Sequence, residues 1–346
     1  MKRSSHAAFA VRGELLVFGG EQECDETNGA SVGDDLTCLA VRRYSPQERL
    51  WRSLNCVGAA PRGRIAPAAT AVGAGERLFV FGGFDPANTR GVGAGSGSGG
   101  IGFTNATHVL DFRAQPPRWR AVAADDAPHA PSARRGASLC WWPGTGGGAL
   151  LAFGGWDLLE VLADHRRFDL QTNEWAIIVD ASEGGGGVAP QQPSPRRGHS
   201  ATVVGDRVLL FGGCLGLSTY ASDLWAYDGA CWLSLAAEGA APSERAWHTA
   251  TALEHARTLL LVGGRDAEGC CDDGAWLLDV RTTRWASVRL TGEEGRVPRP
   301  RCSHSATLLS KELLVVYGGR DDTGELLGDV LHVDVEALLK QVAATA

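Results

Sequence analysis

The sequence predicts an all-β protein, a six-bladed β-propeller with four-stranded antiparallel blades, and two repeated features support this prediction. A short apolar run that ends in a glycine doublet occurs six times, and a tryptophan follows five of the doublets. The composition agrees, because 46 glycines and 11 tryptophans suit many tight turns and large packing anchors. Repetition at a fixed period indicates a repeat architecture. The doublets are Gly19 and Gly20, Gly82 and Gly83, Gly154 and Gly155, Gly212 and Gly213, Gly263 and Gly264, and Gly318 and Gly319.

Each doublet ends a segment that is apolar at consecutive positions, such as LFVFGG and LLLVGG. A strand without polar alternation is covered on both faces. Stacked sheets in a closed radial array cover every strand in this way, and units of about 50 residues favour that array over a solenoid. Glycine allows the turn and the close backbone approach that are expected where the strand ends.

Two further columns keep the same phase. The five tryptophans are predicted to be blade-to-blade packing anchors: Trp51, Trp119, Trp175, Trp232 and Trp285. An arginine precedes each doublet: Arg3, Arg62, Arg134, Arg196, Arg245 and Arg301. In four units this arginine opens an Arg-x-x-His motif, with His6, His199, His248 and His304, whereas Ile65 and Ala137 take the histidine position in units two and three.

The chain is predicted to be a single domain over residues 1–346. Its repeats span residues 3–55, 62–123, 134–180, 196–236, 245–289 and 301–335. The sixth unit has no tryptophan, and the good helix formers that follow Asp334 predict a helical tail over residues 336–346. The last blade is therefore expected to have three strands. The glycine-rich insertion at 91–102 is expected to be a mobile loop.

Downstream of the doublets comes a segment that begins with an acidic residue, such as DLWAYD at 223–228. The order of arginine, histidine, glycine doublet, acid-led segment and tryptophan resembles the kelch repeat. The resemblance extends from Arg3 to about Val335 and implies a kelch-type β-propeller. It says little about function, since one propeller fold serves many unrelated tasks.

Charge and cysteine usage limit the partners. The net charge is −7, without the basic patch that phosphate-backbone binding requires, so we expect no nucleic acid. No apolar stretch is long enough to span a membrane. Nine scattered cysteines without a Cys-x-x-Cys pair indicate reduced thiols in a cytoplasmic protein, with the nucleus as the alternative. We expect a monomer that binds another protein.

The predicted binding surface is the rim that carries the glycine doublets, because the arginine column and the loops after the doublets emerge on that side. We expect the arginines and the aspartates after the doublets to pair between blades. The candidate partner-binding residues are Phe84, Trp156, Arg265, Arg320, Arg62 and Arg134, and Phe84 is expected to be exposed. The histidine column is expected to form hydrogen bonds between strands, because packed sheets stand too far apart for four blades to share one ion.

In the alternative hypothesis the chain is a small-molecule enzyme, a nitrile-specifier-like lyase or isomerase, that uses the central pocket of the propeller. Nitrile-specifier-type kelch proteins carry a Glu-x-x-x-Asp-x-x-x-His iron motif. This chain has Glu160 and Asp164 at that spacing but Phe168 in place of the histidine, with His165 displaced. We therefore predict no catalytic residue, no cofactor and no metal ligand.

Overall fold

A computed structural model describes residues 1–22, 40–86, 102–123, 127–144, 147–178, 191–253, 257–269 and 274–343. These residues form six sheets, the blades, around one axis, which confirms the predicted fold class. The first long strand of each blade contacts those of the neighbouring blades, and the last blade meets the first. The predicted loop at 91–102 lies outside the described residues except for Gly102.

The strands run outward from the axis in sequence order. Blade one contains β2 (Ala7–Val11), β3 (Glu14–Phe18), β5 (Arg42–Ser45) and β6 (Leu50–Ser53), and β1 (Arg3–Ser4) pairs with β4 (Glu21–Gln22) beside it. Blade two contains β8 (Ala68–Val72), β9 (Arg77–Phe81), β10 (Thr107–Asp111) and β11 (Arg118–Ala123). A fifth strand, β7 (Val57–Gly58), pairs with β11 in parallel.

The next three blades each have four antiparallel strands. Blade three contains β12 (Ser138–Trp142), β13 (Ala149–Trp156), β14 (Val161–Asp169) and β15 (Trp175–Ile177). Blade four contains β16 (Ser200–Val204), β17 (Arg207–Cys214), β18 (Tyr220–Tyr227) and β19 (Trp232–Leu235). Blade five contains β20 (Thr249–Leu253), β21 (Thr258–Val262), β22 (Ala275–Asp279) and β23 (Arg284–Val288).

Blade six has three strands, as predicted: β24 (Ser305–Leu308), β25 (Leu313–Tyr317) and β26 (Val330–Asp334). The helix α1 (Val335–Ala343) follows, and Asp334 caps it by accepting a hydrogen bond from the amide of Ala337 at 3.0 Å. The connector from blade five, with a 3₁₀ turn at Glu293–Gly295, lies along the outer edge of β26, where Gly292 pairs with Val333. Connector and helix thus border the edge that a fourth strand would cover.

The core lies between the blades, in six clusters that each join two neighbours, and the cluster between blades six and one is one of them. The second strands are buried on both faces, as their continuous apolar sequences predicted, and all five residues of β21 are buried.

The tryptophan column anchors these interfaces, as predicted. Each tryptophan packs on the aromatic residue that precedes the glycine doublet of the preceding blade: Trp119 on Phe18, Trp175 on Phe81, Trp232 on Phe153, Trp285 on Phe211 and Trp51 on Tyr317, with ring centroids 4.7 to 5.4 Å apart. The interface without a tryptophan, between blades five and six, has Val262 in the aromatic position and is completed by Leu338 of α1.

Candidate functional site: an arginine–aromatic ladder on the doublet face

The glycine doublets and the four-residue segments that begin each blade lie on one side of the ring, which we call the doublet face. These blade-start segments are Arg3–His6, Arg64–Pro67, Arg134–Ala137, Arg196–His199, Arg245–His248 and Arg301–His304. In all six blades, the amide of the second glycine donates a hydrogen bond to the carbonyl of the first arginine in the next blade, at 2.7 to 3.0 Å. The series closes on itself, because Gly319 of blade six donates to Arg3 of blade one.

A second closed series lies at the third position of the blade-start segments. Each residue donates its amide to the carbonyl of its counterpart in the preceding blade, at 2.7 to 3.2 Å, and all six have positive φ values between 50° and 67°. Four of the six are not glycines, so tertiary contacts must hold an unfavourable backbone conformation. The residues of this axial ring are Ser5, Ala66, Gly136, Gly198, Trp247 and Ser303.

The arginine column is buried and structural. The arginine that was predicted to belong to it in blade two was the wrong one. Blade two uses Arg64, which is 4% exposed and donates to the carbonyls of Gly82 and Ala106, whereas Arg62 is exposed. The histidine position of that blade is therefore Pro67, not Ile65. Every column arginine donates to the carbonyl of the first glycine in its own doublet, at 2.9 to 3.1 Å.

The expected pairing of arginines and aspartates between blades was also wrong. Three column arginines pair inside their own blade with the aspartate that lies on or just before the third strand: Arg134–Asp164 at 2.5 Å, Arg196–Asp223 at 2.6 Å and Arg301–Asp329 at 2.7 Å. The strand register decides this, since the third strand places its carboxylate beside the arginine of the same sheet. Asp164, the second residue of the incomplete iron motif, is one of these structural partners.

The histidine column forms hydrogen bonds between blades. His6, His199 and His248 each share a hydrogen bond through Nε2 with a serine hydroxyl of the preceding blade at 2.9 Å, and His304 does so with Thr249 at 3.1 Å. Burial, followed by the charge of the nearby column arginines, lowers the pKa of His6, His199 and His248 to about 3. These imidazoles are therefore neutral structural groups.

The second residue of each blade-start segment lies on the doublet face, buried in blades one, five and six and partly exposed in blades two, three and four. Its backbone pairs with the residue that follows the doublet in the same blade, as Arg135 pairs with Trp156 and Arg197 with Cys214. In blades three and four this second residue is an arginine, whose side chain lies among the aromatic residues of the neighbouring blades.

The resulting arginine–aromatic ladder consists of Phe84, Arg135, Trp156, Arg197, Trp247 and Arg265. The Cζ atom of Arg135 lies 5.5 Å from the ring centre of Phe84 and 5.0 Å from that of Trp156. The Cζ atom of Arg197 lies 4.9 Å from Trp156 and 6.0 Å from Trp247, and Arg265 lies 5.8 Å from Trp247. Guanidinium groups at these distances from ring faces make cation–π contacts. The ladder spans blades two to five.

In the described residues the ladder arginines have no direct ion pair, and Glu21 acts on Arg135 only through its charge at a distance. No carboxylate of the described residues lies within 4.0 Å of the guanidinium groups of Arg135, Arg197 or Arg265. The buried Nε atoms of Arg197 and Arg265 have no hydrogen-bond partner there. Burial, and then the charge of Arg197, lower the pKa of Arg135. Partly desolvated cations without counter-ions favour the binding of an anionic group.

The predicted rim residues divide into three groups. Phe84, Trp156 and Arg265 belong to the ladder, although Phe84 is partly buried against Phe103, with ring centroids 5.4 Å apart, and was wrongly expected to be exposed. Arg320 forms an ion pair with Glu21 across the junction of blades six and one.

The other two predicted rim residues lie outside the ladder. Arg62 is exposed beside the column, and Arg134 is 3% exposed and held by Gly154 and Asp164, so its side chain is not on the surface. Arg135, Arg197 and Trp247 were not among the predicted rim residues. The signal for the two arginines was the second position of the blade-start segments, where RRGA and RRGH place two arginines before a glycine, whereas Trp247 occupies the third position of its segment.

The central pocket differs in chemistry from the ladder. A cavity of about 290 Å³ lies between the first strands of blades one to four. Alanines, threonines and larger apolar side chains such as Phe9, Leu139 and Trp141 line it. In the described part of the chain, no three histidine, cysteine, aspartate or glutamate side chains are grouped to hold a metal ion, and no helix is long and apolar enough to cross a membrane.

Fold and repeats define the class of this protein: a six-bladed propeller whose blades are joined by glycine doublets and buried arginines. The chain belongs to the KLHDC2/KLHL20/DRC7 Kelch-repeats domain family, which it matches over residues 5–187 and 186–339. Kelch-repeat propellers of this family are typically protein-interaction scaffolds.

Several curated proteins with different names are similar to this chain. The chain is 25% identical to mouse Kelch domain-containing protein 1, with 93% of this chain and 76% of that protein covered. It is 29% identical to rice Adagio-like protein 1, with 93% of this chain and 48% of that protein covered. It is 28% identical to Arabidopsis Acyl-CoA-binding domain-containing protein 4, over 49% of this chain and 24% of that protein.

Proposed function

We propose that this propeller is a protein-interaction platform that binds an acidic segment of a partner protein at the arginine–aromatic ladder. The observation that carries the proposal is the set of three arginines, Arg135, Arg197 and Arg265, that lie among aromatic rings without a carboxylate partner in the described residues. Arginine and large aromatic side chains are the residue types that dominate the binding energy of interfaces.

The geometry suits carboxylates of a protein segment. A guanidinium group presents a planar set of donors that matches a carboxylate, and aromatic neighbours fix its orientation before binding. Partial burial removes water from the arginines, which strengthens a charge pair relative to one on an open surface. The whole chain has a net charge of −7, so the positive charge of the ladder is a local feature. A local positive charge of this kind favours acidic partners over others.

The alternative hypothesis of a small-molecule enzyme has less support. Acid–base catalysis needs titratable groups that converge on a substrate, and the central cavity is lined by apolar and hydroxyl side chains. The four column histidines, His6, His199, His248 and His304, already share hydrogen bonds with serine or threonine hydroxyls through Nε2. Support is therefore stronger for binding on the doublet face.

A phage-displayed library of random 16-residue peptides, selected on the purified protein, tests the proposal. We expect the selected peptides to be enriched in aspartate and glutamate, and their affinity to fall as salt rises. The variants Arg135→Gln and Arg197→Gln should each weaken the tightest peptide at least about tenfold, as expected for the loss of a charge-assisted hydrogen bond.

Arg281→Gln is the matched control, because Arg281 is an exposed arginine in the turn between β22 and β23, on the opposite face of the ring. It should leave the affinity unchanged. Selected peptides without acidic residues, or binding that is equal in the ladder variants and the control, would refute the proposed function.

A further inference from the structure

Two leucines stand fully in solvent on the doublet face. Leu159 is 92% exposed and Leu217 is 97% exposed, and each lies in the hairpin that follows a glycine doublet. Of the large apolar side chains that are exposed in the described residues, these two are the most exposed. Water contact with this apolar surface is unfavourable, so a partner that covers either side chain gains binding free energy.

The two hairpins are rigid rather than loosely connected. In blade three, Oδ1 of Asp157 accepts the amides of Leu159 and Glu160, both at 3.1 Å, and Leu158 has a φ of 86° that is rare for a side chain of its kind. In blade four, the amide of Leu215 donates to the carbonyl of Thr219 at 2.8 Å. A fixed loop that displays an apolar side chain loses little entropy when a partner covers it.

Both leucines occupy the same repeat position beside the ladder. Leu159 is the third residue after Trp156, whose backbone pairs with Arg135, and Leu217 is the third residue after Cys214, whose backbone pairs with Arg197. Each ladder arginine of blades three and four is therefore followed, in the same blade, by an exposed leucine. The two hairpins belong to neighbouring blades. Because packed sheets lie about 10 Å apart, we expect the two hairpins to be separated by about that distance.

We propose that Leu159 and Leu217 form the apolar half of the partner site, so that the bound segment is amphipathic. This inference rests on the proposed function. Charge complementarity fixes the arrangement: the carboxylates of the segment contact Arg135 and Arg197, and its apolar side chains pack on the two leucines. The segment thus lies over blades three and four. Apolar residues seven apart in a helix lie on one face, are separated by about 10 Å and match this scale.

Calorimetry with the tightest 16-residue peptide selected on the wild-type protein tests the inference. In the double variant Leu159→Ser/Leu217→Ser, we expect the dissociation constant to rise at least tenfold and the heat-capacity change of binding to become less negative, since less apolar surface is buried. The salt dependence of binding should stay as in the wild type, because the arginines are intact. The control is Leu50→Ser, at an exposed leucine of the outer strand of blade one, which should bind like the wild type.

The outcomes separate the two proposals. If the double variant binds within twofold of the wild type while Arg135→Gln and Arg197→Gln bind weakly, the apolar half is refuted and the ladder stands. If the wild-type protein selects no peptide, or the ladder variants bind normally, the proposed function fails and this inference fails with it. Both leucines lie in solvent, so matching melting temperatures will show that the variants are folded, and the single variant Leu217→Ser repeats the measurement at the more exposed site.

Discussion

The amide of Gly319 lies 2.7 Å from the carbonyl oxygen of Arg3 and donates a hydrogen bond to it, which joins the last blade to the first. The same bond links every other pair of neighbouring blades. The junction of blades six and one is therefore built like the five junctions that the chain connects covalently. It is reinforced by the hydroxyl of Tyr44, which lies 3.0 Å from Nε2 of His332.

The first prediction concerns the doublet glycines. In blade four, Gly212 and Gly205 have φ values of 63° and 65°, so alanine suffers the same backbone strain of about 1–2 kcal/mol at either position. A Cβ at Gly212 would lie 2.6 Å from the carbonyl oxygen of Arg245, whereas a Cβ at Gly205 has no neighbour within 4 Å. We expect Gly212→Ala to cost about 1–3 kcal/mol more than Gly205→Ala in urea unfolding. Equal losses would show that the close approach is unimportant.

The second prediction concerns the tryptophan anchors. Trp232 is 3% exposed and packs on Phe153 of the preceding blade, with ring centroids 5.4 Å apart. Trp232→Ala should lower the free energy of unfolding by about 3–5 kcal/mol, through lost burial and the cavity that remains. Leu217→Ala, at a side chain in solvent, should change it by less than about 0.5 kcal/mol. Similar melting shifts for the two variants would contradict the burial of Trp232.

The third prediction concerns acid stability. His6, His199 and His248 have pKa values of about 3 in the folded protein, and histidine in an unfolded chain titrates near 6.5. Below pH 6.5 the unfolded chain binds protons that the folded protein does not. The free energy of unfolding therefore falls as the pH falls from 7 towards 3, by up to about 1.4 kcal/mol per pH unit for each histidine.

Urea unfolding at several pH values between 5 and 6.5 measures this slope. His248→Gln should reduce the number of protons bound on unfolding by up to one, with the largest effect towards pH 5. A free energy of unfolding that is constant over this range would rule out neutral burial of the histidines.

The fourth prediction concerns blade six. Its third strand, β26, is bordered by a connector and a helix, whereas β18 of blade four lies between two strands. Backbone amides without a sheet partner exchange faster, because they open without breaking a ladder. In hydrogen exchange, the amides of Val330 to Val333 should lose protection before those of Leu224 to Tyr227. Equal protection would mean that the connector replaces the missing strand fully.

The repeated columns in the sequence were sufficient to predict the ring, the burial of the second strands and the tryptophan anchors, and the helix formers after Asp334 predicted the C-terminal helix. They could not distinguish Arg62 from Arg64, which are two residues apart in a unit with an insertion. Arg64 is the column arginine because it donates hydrogen bonds to the carbonyls of Gly82 and Ala106. These carbonyls lie close to Arg64 only after the sheet has formed.

The ladder was harder to predict because its members come from three positions of the repeat and from four blades. Phe84, Trp156 and Arg265 follow the doublets and were recognised. Arg135 and Arg197 adjoin the column arginines, and one register step sends one arginine into the sheet and its neighbour to the surface. The backbone pairing of Arg135 with Trp156 shows that Arg135 is the arginine at the surface and Arg134 is the one inside the sheet.

The closed series of glycine-to-arginine bonds has a consequence for how the molecule can be divided. Since the junctions hold without a covalent link between blades six and one, a second break in the chain between Ile178 and Gln191 would leave two half-rings of three blades each. Each half would end in a doublet glycine at one edge and a column arginine at the other, so the halves are complementary at both seams. Reconstitution from two separately produced polypeptides would then depend on the four backbone hydrogen bonds of the two closed series that cross the two seams.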